Sequence, residues 1–432
     1  MTVGLEVLLG VFLGAAVLGA PFGQSMLAAG IAYCLATHQD LGLVVDQTMN
    51  GLYGSYLLLA VPLFIFVANV MNVSGVIERL LAFAQAVVGR FRGGLAQVNV
   101  VTNVIFSGMS GSAIADAAGP GLIVARMMTR GGRYPAGFAA AVSAAAATIG
   151  PLVPPSIAMI FYALIANTSV GDLFLAGIVP ALILALTLMI CIAVIARQRG
   201  FPAEEPTPWR LVPRILLRAL PAVVLPGLLL GIIYSGIASP TEAAAIAAAY
   251  ALGLAMLIYR SMTWTQLVNA ILETVRSTAM IGLIMAGAFF FNYAIASENV
   301  PQMLRDGLMG LNLSPVGFLL SVNILFLALA VMIDEVTILL VIVPLLVPMA
   351  SALGINLVHF GVMVVFNMMV GLVLPPHGLL LFIMSGLLET SIAQVYQEVL
   401  VFVAVMLIVL VAVTFLPDLV LWLPRALGSA PS

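Results

Sequence analysis

Lysine is missing from this sequence altogether: all fifteen basic residues are arginine, which reads as a compositional habit and not as a function. Charge of either sign is scarce, at 7% of residues against 63% hydrophobic, and the mean hydropathy is +1.22. Soluble domains carry roughly a quarter charged residues, so a soluble fold is excluded and an all-α integral membrane protein is the class that fits. A formal net charge of −2 gives no electrostatic case for nucleic acid as a partner. Cysteine is reduced to Cys34 and Cys191, both in apolar runs, which excludes a disulfide framework and a cysteine metal site. No Gly-x-x-x-x-Gly-Lys-Ser/Thr motif occurs, so ATP bound to this chain is not the expected energy source. Val3 to Ala20 follows no charged leader and precedes no cleavage site; it reads as a retained span.

What is present is apolar length. Segments long enough to span lie at about 5–20, 22–37, 53–73, 172–196, 216–237, 240–259, 277–296 and 393–422. Residues 5–37 read either as two short crossings or as one kinked unit. Two further segments, at about 134–167 and 357–388, carry the same interruption. The first is Gly150-Pro151-Leu152-Val153-Pro154-Pro155; the second is Gly371-Leu372-Val373-Leu374-Pro375-Pro376. Adjacent prolines lack amide hydrogens and push the preceding residue out of helical geometry. Broken backbone is tolerated in a bilayer only inside protein or beside a watery cavity. Matched broken spans in two halves of a chain point to a secondary transporter's binding site.

Two regions resist a simple spanning assignment. Residues 94–127 hold Phe106-Ser107-Gly108-Met109-Ser110-Gly111-Ser112 at their centre, and residues 315–350 hold Met332-Ile333-Asp334-Glu335. Each reads as a re-entrant helical hairpin with a small or polar tip. Arg79, Arg90, Arg92, Arg126, Arg130 and Arg133 flank the first hairpin and turn its mouth to the cytoplasm. Arg197, Arg199, Arg210, Arg214 and Arg260 follow on the same side, whereas 167–172 and 235–242 lack arginine; the second hairpin then opens outward. Gly371 follows Gly150 by 221 residues (371 − 150), about half the chain. The organisation expected is an inverted repeat, which underlies alternating access. Residues 1–52 form N-terminal scaffold helices, 53–197 the first repeat, 198–259 a linker and scaffold helices, and 260–432 the second repeat. In the first repeat Val76–Phe91 has charges opposite its apolar face and is expected flat at the interface; Val300–Leu311 is its counterpart. A polar linker, Arg197 to Arg210, joins the repeats.

The tip hydroxyls Ser107, Ser110 and Ser112 are hard ligands suited to an alkali cation, and the helix ending at Gly150 aims carbonyls the same way. Helices starting after Ser112 and after Pro155 suit a carboxylate, which makes Gly111, Ser112 and Ser156 cargo candidates. Asp334 and Glu335 are intramembrane carboxylates and functional by default, or solvated if the tip reaches the outer interface. Asp116 either lines the cavity or caps amides; His377 titrates or merely packs; Glu273 and Arg276 read as an interfacial pair. An intramembrane hydrolase would need a partner for Ser110, and none is evident.

The tip string 106–112, Gly137-Phe138-Ala139-Ala140-Ala141 through Ser156, Gly171-Asp172-Leu173-Phe174-Leu175-Ala176-Gly177 and Ser239-Pro240-Thr241-Glu242-Ala243 resemble the large membrane subunit of tripartite ATP-independent periplasmic (TRAP) transporters, nearly end to end. The resemblance implies an elevator-type transporter of the ion transporter superfamily, driven by Na+. It implies a small four-helix membrane subunit and a periplasmic substrate-binding protein as partners, and an organic acid as cargo. Carried over by motif, a first sodium site takes Ser107 and Ser110 with backbone from Gly150, Val153 and Pro155. The second site departs from the family's Gly-x-x-Thr-Pro-Pro-x-Gly-Leu-Asn, because Leu374 and Leu380 replace the threonine and asparagine and Ala330 replaces a glycine. Gly371 and Leu374 keep only backbone ligands there, weaker sodium binding is expected, and His377 is the residue that would couple a proton. The function expected is a non-enzymatic, sodium-coupled carboxylate permease of a bacterial inner membrane. The alternative is a stand-alone sodium- or proton-coupled symporter of the same superfamily.

Overall fold

In a bilayer every backbone amide and carbonyl must find a partner inside its own segment, so apolar sequence becomes helix. The computed structural model describes residues 2–208, 210–303, 314–331 and 333–429, and among these it contains helices and turns with no strand. The stretch 304–311 of the expected amphipathic Val300–Leu311 lies outside the described residues. Six helices are long and apolar enough to cross a membrane, and two bent helix pairs pass the same test.

The N-terminal segment is two helices, α1 (Val3–Val17) and α2 (Phe22–Thr37), packed on each other. A third helix, α3 (Gly42–Gly54), was not among the expected apolar segments, because Asp46, Gln47 and Asn50 dilute its hydropathy. A 3-10 turn at Tyr56–Leu59 leads into α4 (Ala60–Val73). In α5 (Val76–Val88) the apolar stripe of Val76, Ile77, Leu80, Leu81, Ala84 and Val88 is buried. It packs against later helices of the chain, so protein and not lipid covers its apolar face.

The first hairpin region runs through α6 (Gly94–Ser110), α7 (Ala113–Asp116) and α8 (Leu122–Thr129), with a π turn holding Pro120 between the last two. The chain reverses at Gly111, and α8 lies back against α6. Next come α9 (Ala136–Ala147) and α10 (Ile157–Ala166), which bend by 41° across the first Pro-Pro interruption. The 30-residue α11 (Val170–Arg199) ends at Gly200 in the left-handed region.

After α12 (Val212–Tyr234) and α13 (Pro240–Gly253), α14 (Trp264–Ser297) starts well before the expected 277, at a capping box of Thr263 and Gln266. The second hairpin region holds α15 (Pro315–Ala330), α16 (Glu335–Val341) and α17 (Val343–Ala352), the last two bent by 53°. The second interruption separates α18 (Leu357–Gly371) from α19 (Leu379–Leu387). The final apolar run is not one span. Pro417 stops α20 (Ile392–Phe415), and α21 (Pro417–Ala426) folds onto α11 and α18.

The helices form two groups. One gathers α2, α3, α4 and α13 around α14; the other gathers α6, α9, α11, α18 and α20. Contacts of α6 with α4 and α12, and of α14 with α16, join them. Within the second group α9 touches α19 while α10 touches α18, so the two broken spans run antiparallel with their interruptions level. Both interruptions contain a cis Pro-Pro bond.

The linker is docked, not free. Phe201 lies 4.9 Å from the rings of both Tyr134 and Phe138. Gly94 N donates to Pro202 O (3.3 Å), Glu204 N to Gly89 O (2.9 Å), and Arg133 pairs with Glu204. The Tyr134 hydroxyl, pushed up to about 12 by burial, stays protonated and donates to Pro202 O at 3.2 Å.

Candidate functional site

Ser107 and Ser110 share one face of α6, one turn apart. Gly111 ends that helix with a φ of 61°, and a Cβ there would lie 2.2 Å from the Pro155 carbonyl oxygen. Only glycine lets the tip close on the interruption. The closure carries Ser112 past it to cap α7, and Asp116 at the end of that turn swings back to the serines.

Ser107 Oγ is 2.6 Å from Asp116 Oδ2 and 2.6 Å from the Asn103 carbonyl oxygen. Its single hydrogen serves one of these at a time. The Ser110 hydroxyl donates to the other carboxylate oxygen. A Cβ on Gly150 would fall 2.5 Å from Asp116 Oδ2, so the carboxylate rests directly on the first interruption. Asp116 is fully buried. The ion pairs of the described residues are Arg133–Glu204, Arg199–Glu398, Arg276–Glu273 and Arg425–Asp418, and none involves it. A carboxylate this far from water needs a proton or a cation. Carboxylate, hydroxyl and carbonyl oxygens are the donor set of a hard cation, and they fit sodium.

The mirrored position is built differently. A Cβ on Gly371 would meet the Ala330 methyl at 2.1 Å. A hydrocarbon group therefore occupies the place that Asp116 takes over Gly150. Leu374 N donates to Gly371 O at 3.1 Å, as Val153 N does to Gly150 O at 3.2 Å. Leu374 itself is apolar, so the residues here offer a cation no side-chain ligand.

Between the two helix groups lies a cavity of about 1140 Å³. Asn69, Asn72, Glu273 and Ser277 wall it on one side; the tip residues Ser110 to Ser112 and Asp334 to Glu335 wall the other, with His377. No arginine lines it. Gly111, Ser112 and Asp334 thus reach the cavity, and His377 is exposed to it. Asp334 is also a helix cap: its Oδ1 accepts from Thr337 N at 2.9 Å and its Oδ2 from Thr337 Oγ1 at 2.5 Å. Ser156 is buried off the cavity wall, its hydroxyl given to Pro151 O at 2.5 Å while its oxygen caps Met159 N at 3.2 Å. Glu273 and Arg276 form the expected pair, at 2.8 Å.

Residues 9–419 match the family described as "Tripartite ATP-independent periplasmic transporter, DctM component". The chain belongs to that family. Among similar proteins is the sialic acid TRAP transporter large permease of Vibrio cholerae, 37% identical over 96% of this chain and 97% of that one. A C4-dicarboxylate TRAP transporter large permease of Pseudomonas aeruginosa is 39% identical over 86% of this chain and 87% of its own. The crystal structure of the Alcanivorax borkumensis YdaH transporter aligns with a TM-score of 0.62 at 17% identity, covering 98% of both chains, and shares the fold. This DctM-family chain is thus a large TRAP membrane subunit, multi-pass in the bacterial inner membrane.

One residue of this DctM-family site escaped sequence reasoning. Asp116 neither lines the cavity nor caps amides; it joins Ser107 and Ser110. The available signal was an acid six residues after the second of two hydroxyls one helical turn apart, across a glycine able to reverse the chain.

Proposed function

We propose that this subunit is the permease of a sodium-coupled secondary transporter that imports an organic acid delivered by a periplasmic binding protein. The observation that carries the reading is the buried Asp116 carboxylate, held by Ser107 and Ser110 over Gly150 without an arginine partner. Its relatives are named as large permeases for sialic acid and for C4-dicarboxylates, which supports an acid as cargo and a small membrane subunit as partner.

The bundle of two hairpins and two broken spans is the moving part, and the helices around α14 are the scaffold. Residues 53–197 and 260–432 act as mirrored repeats, with both hairpins re-entrant. Sodium is a co-substrate that neutralises Asp116. The serines and the carboxylate then hold the first tip against Pro155, which shapes Gly111 and Ser112 for the acid. Because Ala330 and Leu374 strip the second position of side-chain ligands, one sodium per cycle is the reading the residues favour. His377 faces the cavity and is the group available to a proton. Uptake by elevator motion exposes this cavity alternately to each side.

The test is co-reconstitution of the chain with its small subunit and binding protein in liposomes, with uptake of labelled acids measured under an imposed sodium gradient. Uptake that needs sodium outside, binding protein and small subunit together is the expected result. Uptake unchanged when choline replaces sodium would overturn the coupling; uptake without the binding protein would favour the stand-alone symporter.

A further inference from the structure

Beyond delivery of an acid, the geometry points to a cargo that carries a cationic nitrogen as well as a carboxylate: a zwitterion. This rests on the transport reading above and narrows it. Three carboxylates line the cavity, Glu273, Asp334 and Glu335, and the sole ionisable base among its lining residues is His377. Glu273 is answered by Arg276, and Asp334 by Thr337. Glu335 is not. Its Oε2 is shut off from solvent and meets no donor. Across the cavity Asn72 Oδ1 is likewise buried with no donor.

Buried acceptors left without donors are costly, and native structures keep few of them. Two in one cavity call for a ligand that supplies donors. An ammonium group brings several donors and opposite charge, and its bonds to a carboxylate are of the strong, charge-assisted kind. A plain dicarboxylate brings neither; its second carboxylate would face Glu335 as a like charge with no guanidinium to separate them. A hydroxy acid supplies donors but leaves the charge at Glu335 unanswered. The ammonium therefore docks at Glu335, and the carboxylate of the same molecule lies at the first tip beside Ser112.

The experiment measures the thermal unfolding midpoint of the full-length chain in detergent with sodium chloride, since a ligand that binds only the folded state raises it. The probes are short, medium and long aliphatic acids, each in plain, hydroxy, amino and dicarboxylic form. Amino forms should raise the midpoint most, and Glu335→Gln should weaken their affinity by about tenfold, equal to about 1.4 kcal/mol. The variant should keep the wild-type response to sodium over choline, which shows it folded. Preference for dicarboxylates, equal response to hydroxy forms, no response from any probe, or a Glu335→Gln response identical to wild type would each overturn the proposal. The sodium arm is scored separately: a sodium response without an amino-acid response sinks only the zwitterion, and loss of the sodium response sinks the coupling.

Discussion

Asparagine in place of Asp116 keeps the side chain's shape and removes its charge. Losing one member of a desolvated charge pair costs about 2–5 kcal/mol, so Asp116→Asn should raise half-saturating sodium by more than tenfold in uptake assays. The protein should still insert and reach normal levels, because neutral asparagine is easier to bury than a carboxylate. The reverse experiment is available at the mirrored position. Leu374→Thr returns a hydroxyl beside Gly371, and the Hill slope of sodium-dependent uptake should rise above that of the wild type; an unchanged slope would show that the Ala330 methyl alone closes the place. Ser107 and Ser110 were legible because their spacing is local. Asp116 was not, because its partners depend on how Gly111 reverses the chain and docks on Pro155, a contact made 44 residues away in sequence (155 − 111).

Helices and their interruptions follow the same division between local and tertiary causes. Both Pro-Pro breaks could be read from sequence, since no arrangement of neighbours restores two missing amides. The early start of α14 could not, because Glu273 and Arg276 cut its apolar run and their pairing shows only once the helix exists. Nor could the docking of the linker, which depends on Phe201 meeting Tyr134 and Phe138 from distant helices. Phe201→Ala removes that ring contact and should weaken the strap by about 1–3 kcal/mol. Limited proteolysis should then cut within residues 200–206 faster than in wild type, while the thermal midpoint of the helical bundle moves little.

For the whole molecule the decisive surface is the one between the two helix groups. There Gly108 of α6 meets Pro226 of α12 so closely that a Cβ would fall 2.3 Å from the proline ring. Overpacking such a contact costs about 1–3 kcal/mol, small beside folding but large for a sliding face. Gly108→Val should therefore leave the protein folded and sodium-responsive yet slow uptake at saturating cargo, and Pro226→Ala in the same chain should restore part of the rate. Sequence showed that two matched halves exist, but not which faces of them touch. The Ala330 methyl resting on Gly371 has a reach at this scale too. A carrier taking one ion per round can concentrate its cargo only in proportion to that ion's own ratio across the membrane, where a two-ion carrier does so by the square. With an electrically neutral cargo, each round also moves one positive charge inward, so the membrane voltage contributes about 2.3 kcal/mol per 100 mV. The bacterium that relies on such a subunit accumulates less steeply, admits fewer ions per molecule gained, and stops importing when its voltage collapses.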